Sequence, residues 1–178
     1  LARDGSAQSA WDAFDLEEEP PQVRQRYGGY LYGDTVLTAR RLVERGVRFV
    51  TVYSEVFGKP GLMLDQNAWD THQNHFHVMR QFRLPELDFG YSALCEDLQE
   101  RGLLDETLVV AMGEMGRTPR INRKGGGRVY GNGRDHWSYC QSVMMTGAGI
   151  KRGMVHGASD KDGAYPVSDP VSPQAMIA

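Results

Sequence analysis

The segment Trp69-Asp70-Thr71-His72-Gln73-Asn74-His75-Phe76-His77 brings one carboxylate and three imidazoles together. A borderline divalent cation such as Zn²⁺ or Mn²⁺ accepts both nitrogen and oxygen ligands, so this donor mixture suits a metal centre. Asp70 and His72 are close enough to reach one ion from a loop, whereas His75 and His77 are placed to begin a following helix and face elsewhere. The alternative is a polar loop whose histidines cap that helix. A second cluster, Gly113-Glu114-Met115-Gly116-Arg117-Thr118-Pro119, sets Glu114 directly after an apolar run. The flanking glycines allow close approach of a ligand to the backbone. A carboxylate there can bind a metal, accept a proton, or cap a turn while paired to Arg117. The third cluster is Gly133-Arg134-Asp135-His136-Trp137. From a loop, Asp135 and His136 can ligate one ion or two neighbouring ions.

Between Met115 and Arg134 stand Arg117, Arg120, Arg123, Lys124, Arg128 and Arg134, with no acidic residue among them. In a chain of net charge −3 this stretch is a local anion field, and arginine binds phosphate or sulfate oxygens bidentately. A solvated loop and nucleic-acid backbone binding are the alternatives, though few aromatics interleave it to form a stacking platform. Other side chains offer less. Cys95 lies in a leucine-rich helical pattern as a buried thiol, Cys140 has no evident activating base, and His156 reads as structural. Gly125-Gly126-Gly127 lacks the Lys-Ser/Thr of a phosphate loop, and no serine lies in a nucleophile elbow.

These clusters need elements to position them. Tyr32, Val36, Ala39 and Val43 fall on one helical face, ended by Gly46 as a C-terminal cap. Residues 47–53, rich in β-branched and aromatic side chains, read as a strand. Residues 54–83 show no clear periodicity, and a helix then runs over Leu84, Leu87, Tyr91, Leu94 and Leu98 to about Arg101-Gly102. Leu108–Met112 is a short apolar strand, Ser142–Met145 a third and Met154–His156 a fourth. Strand, helix, strand with a long crossover predicts a right-handed unit with parallel strands. In such sheets the ligand site lies beyond the carboxyl ends of the strands, where the segments after Tyr53 and Met112 leave.

Length and composition set outer bounds. The 178 residues, 40% hydrophobic and 24% charged, fit one domain of roughly 100–200 residues, burying about 70% of its unfolded surface. The near-average composition excludes collagen-like, coiled-coil and wholly disordered chains. The charge balance argues against a dedicated nucleic-acid binder. No apolar run approaches the ~18 residues of a membrane span, and two cysteines make no disulfide framework. Residues 1–21 are polar and acidic and read as a loop or tail leading into one domain over 22–178. The chain opens at Leu1 without an initiator methionine and stops within a nascent helix capped by Ser172 and begun by Pro173. The expectation is therefore a fragment, incomplete at both ends.

Taken in order, Trp69-Asp70-Thr71-His72, Arg101 to Val110, Gly113 to Pro119 and Gly133 to Trp137 resemble the bacterial domain-of-unknown-function family 1501. Residues 39–50 and 147–153 carry the same resemblance, which spans roughly residues 12–178. That family is in turn similar to a branch of the alkaline phosphatase and sulfatase superfamily. The resemblance implies an α/β/α sandwich with a mostly parallel sheet, divalent metal ions (Zn, Mn or Ca), and hydrolysis of sulfate or phosphate esters by in-line attack. It implies metal ligation by Asp70, His72, Glu114, Asp135 and His136, and anion binding by Arg117 and Arg134. It further implies a secreted or periplasmic protein acting on a small-molecule or polysaccharide ester.

The chain departs from the superfamily pattern in three ways. Met115 stands where a strand-end histidine is usual. Asp70 and His72 are closer than the usual spacing. Nothing before Tyr27 fits the early strand that carries the nucleophile, which is expected upstream of residue 1, so this chain would hold part of a site and be inactive alone. The competing expectation is a non-catalytic secreted protein that recognises an anionic polysaccharide or surface partner through the basic loop 117–134. A phosphate-ester mutase is a weaker third, needing a phosphorylated residue that the sequence does not display.

Overall fold

The computed structural model describes residues 10–54, 69–122 and 132–176. From Asp12 the acidic segment folds into two short turns, Asp12–Phe14 and Leu16–Glu18. Helices α1 (Pro21–Arg26) and α2 (Leu31–Glu44) follow. Helix α2 ends as its apolar spacing predicts: Gly46 adopts φ 90°, Gly46 N donates to Val43 O and Val47 N to Leu42 O. A side chain at that left-handed position would meet the following carbonyl, so glycine closes the helix.

Helix α3 (His75–Val78) runs through a wide π turn, Met79–Arg83, into α4 (Leu84–Glu100). Pro85 lacks the N–H that would bond the carbonyl four residues back, and the wide turn precedes it. The extra residue also breaks the 3.6-residue period, which is why 75–83 carried no helical signature while 84–100 did. The core sits where Tyr27, Val36 and Leu37 meet Ala93, with Leu16, Val23, Tyr32, Val52 and Leu94 around them.

Buried charge ties these helices together. Arg40 of α2 is 1% exposed. Its Nε lies 3.0 Å from Asp97 Oδ2 and its Nη2 lies 2.8 Å from Glu19 Oε1. Asp97 also accepts from Tyr27 Oη at 3.0 Å and Arg101 Nε at 2.6 Å. Arg41 bonds the carbonyls of Asp12 and Ala13 and the carboxylates of Glu18 and Glu19. The acidic segment expected as a loop or tail is thus, from Asp12 on, clamped to α2.

The strands form three antiparallel pairs among the described residues. Strand β1 (Val109–Ala111) pairs with β4 (Met144–Thr146), β2 (Gly116–Arg117) with β3 (His136–Trp137), and β5 (Ala158–Ser159) with β6 (Pro166–Ser168). The strand expected at 142–145 lies one to two residues later, and the one expected at 154–156 is displaced to 158–159. The predicted strand 47–53 alternates in burial from Val50 to Ser54, yet makes no ladder among the described residues. Its parallel pairing with 108–112 is likewise not made there; β1 takes β4 instead. Phe49 and Tyr53 stay 86% and 74% exposed. The short helix α5 (Pro173–Met176) starts as expected, with Ser172 Oγ accepting from Ala175 N. No helix among the described residues is long and apolar enough to cross a membrane.

Candidate metal centre

The β2–β3 register decides which side chains meet. Arg117 lies directly opposite His136, and Gly116 opposite Trp137. Directly opposed residues share a face of an antiparallel pair, so Arg117 and His136 project together. Across from them runs the loop 69–74, held by backbone bonds: Arg134 N donates to Thr71 O at 3.0 Å, and His75 N donates to Asn132 O at 3.0 Å. Thr118 N donates to Asp135 O, and Asn122 N to Gly133 O. The segment 132–135 is therefore sewn on one side to 71–75 and on the other to 118–122.

Gly133 permits that approach. A Cβ there would stand 1.7 Å from His72 O and 2.6 Å from Gln73 N, positions no side chain can share with backbone. The glycine of the third sequence cluster is needed for close packing of the loop that presents His72.

Asp70, His72 and His136 converge: one ligand atom from each lies within 4.8 Å of the others. His72 Nε2 is 3.0 Å and His136 Nε2 2.8 Å from the same oxygen, Asp70 Oδ1. Arg117 Nη1 donates to that oxygen at 2.5 Å. Burial pushes the Asp70 carboxyl up, but hydrogen bonds from Arg117 and His136 outweigh it and hold the group below the usual carboxylate range. Ligand atoms about 2.0–2.2 Å from one tetrahedral ion lie roughly 3.3–3.6 Å apart. The two contacts at 2.8 and 3.0 Å are shorter than that spacing and all three ligand atoms lie within 4.8 Å of one another, so two imidazoles and a carboxylate need move apart only by some tenths of an ångström to hold a divalent cation.

The other predicted residues divide. Asp135 lies on the far side of the His72 ring, with Oδ1 2.8 Å from Nδ1, and is not one of the converging three. The His72 contact lowers its carboxyl, burial opposes this weakly, and Asn122 adds to the lowering. Glu114 is exposed in the turn between β1 and β2 and contributes no atom to the cluster. Arg117 binds Asp70 rather than standing free. Arg134 donates through Nη1 to Thr118 O and Pro119 O and lies 5.7 Å from the Phe76 ring centroid, so it braces the loop. Arg123, Lys124 and Arg128 lie outside the described residues.

Two partners escaped sequence reading. Asn122 Nδ2 donates to Asp135 Oδ1 at 2.9 Å, and nothing in its local sequence marks it. The Thr71 hydroxyl, fully buried, sits 2.6 Å from His75 Nδ1. Burial, with Arg134 and Arg117 nearby, pushes the His75 imidazole down, so it serves as a neutral brace behind the Asp70-Thr71-His72 turn. His75 opens α3, the helix it was expected to begin.

A family model described as "Protein of unknown function (DUF1501)" matches residues 1–178, and the chain belongs to that family. No curated protein and no solved structure matches the chain.

Proposed function

We propose, with that membership as the premise, that the chain carries part of the active site of a metal-dependent hydrolase of sulfate or phosphate esters. The convergence of Asp70, His72 and His136 on one small volume is the observation that carries this reading. A divalent ion held there would supply Lewis-acid polarisation of an ester oxygen and neutralisation of developing charge. Two imidazoles favour Zn²⁺ or Mn²⁺ over the harder Ca²⁺, which takes oxygen ligands.

The chain's own residues then have distinct tasks. Asp70 and the two histidines bind. Among the described residues Arg117 touches Asp70 through Nη1, and its remaining guanidinium N–H groups suit the anionic oxygens of an ester. Arg134 shapes the loop that carries His136. Glu114, exposed ahead of β2, lies outside this cluster. The wider frame in this reading is an α/β/α sandwich, supported by the alternating burial of 50–54 and the outward Phe49 and Tyr53. A secreted or periplasmic setting goes with it.

Metal analysis of the purified protein, with turnover of an aryl sulfate and an aryl phosphate by the full-length protein, tests the reading. Bound Zn or Mn that disappears in Asp70→Ala and His136→Ala supports it. Neither metal nor turnover overturns it. The competing reading, a non-catalytic binder of anionic polysaccharide, has less support because Arg134 is engaged within the protein by the carbonyls of Thr118 and Pro119. It would prevail if Glu114→Ala and His136→Ala left polysaccharide binding intact while Arg117→Ala and Arg134→Ala abolished it.

A further inference from the structure

His72 is enclosed between two carboxylates. Its Nε2 lies 3.0 Å from Asp70 Oδ1 and its Nδ1 lies 2.8 Å from Asp135 Oδ1. A neutral imidazole carries one N–H, so it can donate to only one of these oxygens. The two carboxylates are not equivalent. Asp70 Oδ1 also faces His136 Nε2 and Arg117, whereas Asp135 Oδ1 faces, among the described residues, a single further donor, the Asn122 side-chain amide. Asn122 is itself fixed, accepting from Gly133 N at 3.3 Å and contacting His72 O at 3.4 Å through Nδ2. The Asp135 backbone is anchored at both polar atoms, N to Thr118 Oγ1 and O to Thr118 N.

We propose that Asp135 is a positioning residue rather than a metal ligand: held by Asn122 and Thr118, it accepts a hydrogen bond from Nδ1–H of His72 and so leaves the Nε2 lone pair to meet the ion. This rests on the metal-centre reading above. A ligating histidine that donates its other N–H to a carboxylate has a fixed tautomer and ring orientation, and losing such a partner typically weakens metal affinity about 10- to 100-fold. The position of Asp135 on the far ring nitrogen, away from the converging atoms, is what a direct ligand would not show. The same geometry gives the adjacent residues Asp135 and His136 separate tasks: His136 points to Asp70, and Asp135 steadies the histidine on the other side of it.

Three measurements on the intact protein decide the matter. Long-range ¹H–¹⁵N correlation on the metal-free protein reads the His72 tautomer. Competition with a chromophoric chelator reads Zn²⁺ affinity, and the visible bands of the Co²⁺ form read the donor set. The expected result is a proton on Nδ1 in the wild type, shifting towards Nε2 in Asp135→Ala. That variant should bind Zn²⁺ about 10- to 100-fold more weakly while its Co²⁺ bands keep their wild-type positions. Asn122→Ala should lose less, and Asp135→Asn, which retains an acceptor oxygen, should be intermediate; circular dichroism of all three confirms folding. Co²⁺ bands that change in Asp135→Ala, or metal binding lost as completely as in Asp70→Ala, would make Asp135 a direct ligand and overturn the proposal. Unchanged affinity with an unchanged tautomer would overturn it equally. If the wild type takes up neither ion, the metal centre itself falls, an outcome distinct from wild-type binding with an indifferent Asp135→Ala.

Discussion

At the scale of single residues, the site was legible where chemistry is local and obscure where it depends on opposition across strands. Asp70 and His72 sit two apart, so any reading of donor types finds them; His136 joins them because β2 and β3 set it opposite Arg117. That register is invisible in a two-residue strand, and so was the engagement of Arg117 with Asp70. Asn122 could not be found at all, since its role follows from where Asp135 is held. The first residue-level prediction concerns Arg117. Replacing it by Ala removes a donor from Asp70 and an anion partner, so in the full-length protein an active ester hydrolase should show a raised KM for its anionic substrate. Steady-state kinetics at fixed metal concentration checks this. The second concerns Gly133. Gly133→Ala forces a Cβ into the His72 carbonyl, and overpacking of this kind costs about 1–3 kcal/mol. Denaturant unfolding should show that loss, accompanied by weaker Zn²⁺ binding because the displaced carbonyl belongs to a ligand.

Between elements, the helices were written in apolar spacing and the ties between them were not. The period through Val36 and Ala39 located α2, and Gly46 ended it, but Arg40 and Arg41 are as buried as their apolar neighbours. Beyond Glu44 one turn along the same helix, their partners come from the acidic segment and from α4, distances of chain that composition alone reads as a solvated run. The Asp97 carboxyl is raised by burial, yet its bonds and charge contacts with Arg101, Arg40 and Tyr27 bring it below its ordinary range. A carboxyl depressed on folding contributes stability that is complete above its unfolded value of about 3.9 and is lost as pH falls through the lower folded value. Acid unfolding of the wild type should therefore steepen below about pH 4. Asp97→Asn should be less stable at neutral pH by about 1–3 kcal/mol, because buried Arg40 loses one of its three carboxylate partners while keeping Glu19 and Glu44, and should show a flatter pH dependence in the acid window. Pulse-free equilibrium denaturation across that range measures both. The strand readings shifted for a different reason: short apolar runs specify extended backbone, but the choice between β4 and the 47–53 segment as neighbour of β1 is made by packing outside either run.

Over the whole molecule, the even composition concealed an uneven surface. Among the described residues Phe49, Tyr53, Val110 and Met112 are exposed apolar side chains, and exposed apolar surface favours association. The isolated chain should consequently self-associate with rising concentration, and Phe49→Lys with Val110→Lys should suppress this in sedimentation velocity. The proposed centre would also give the molecule a thermodynamic handle. An ion that binds only the folded state stabilises it by about 2.7 kcal/mol at 100 times its Kd. Zn²⁺ should therefore raise Tm by several degrees in the wild type and leave His136→Ala unmoved, as scanning calorimetry would show. The ligands that make this possible are far apart along the chain, Asp70 and His136 being 66 residues from each other. An unfolded chain would seldom hold both at one point, and the loop entropy of bringing them together is met only once the ribbon and the 69–74 loop have docked. The ion would arrive last and leave first, so in a refolding experiment its uptake would count completed molecules.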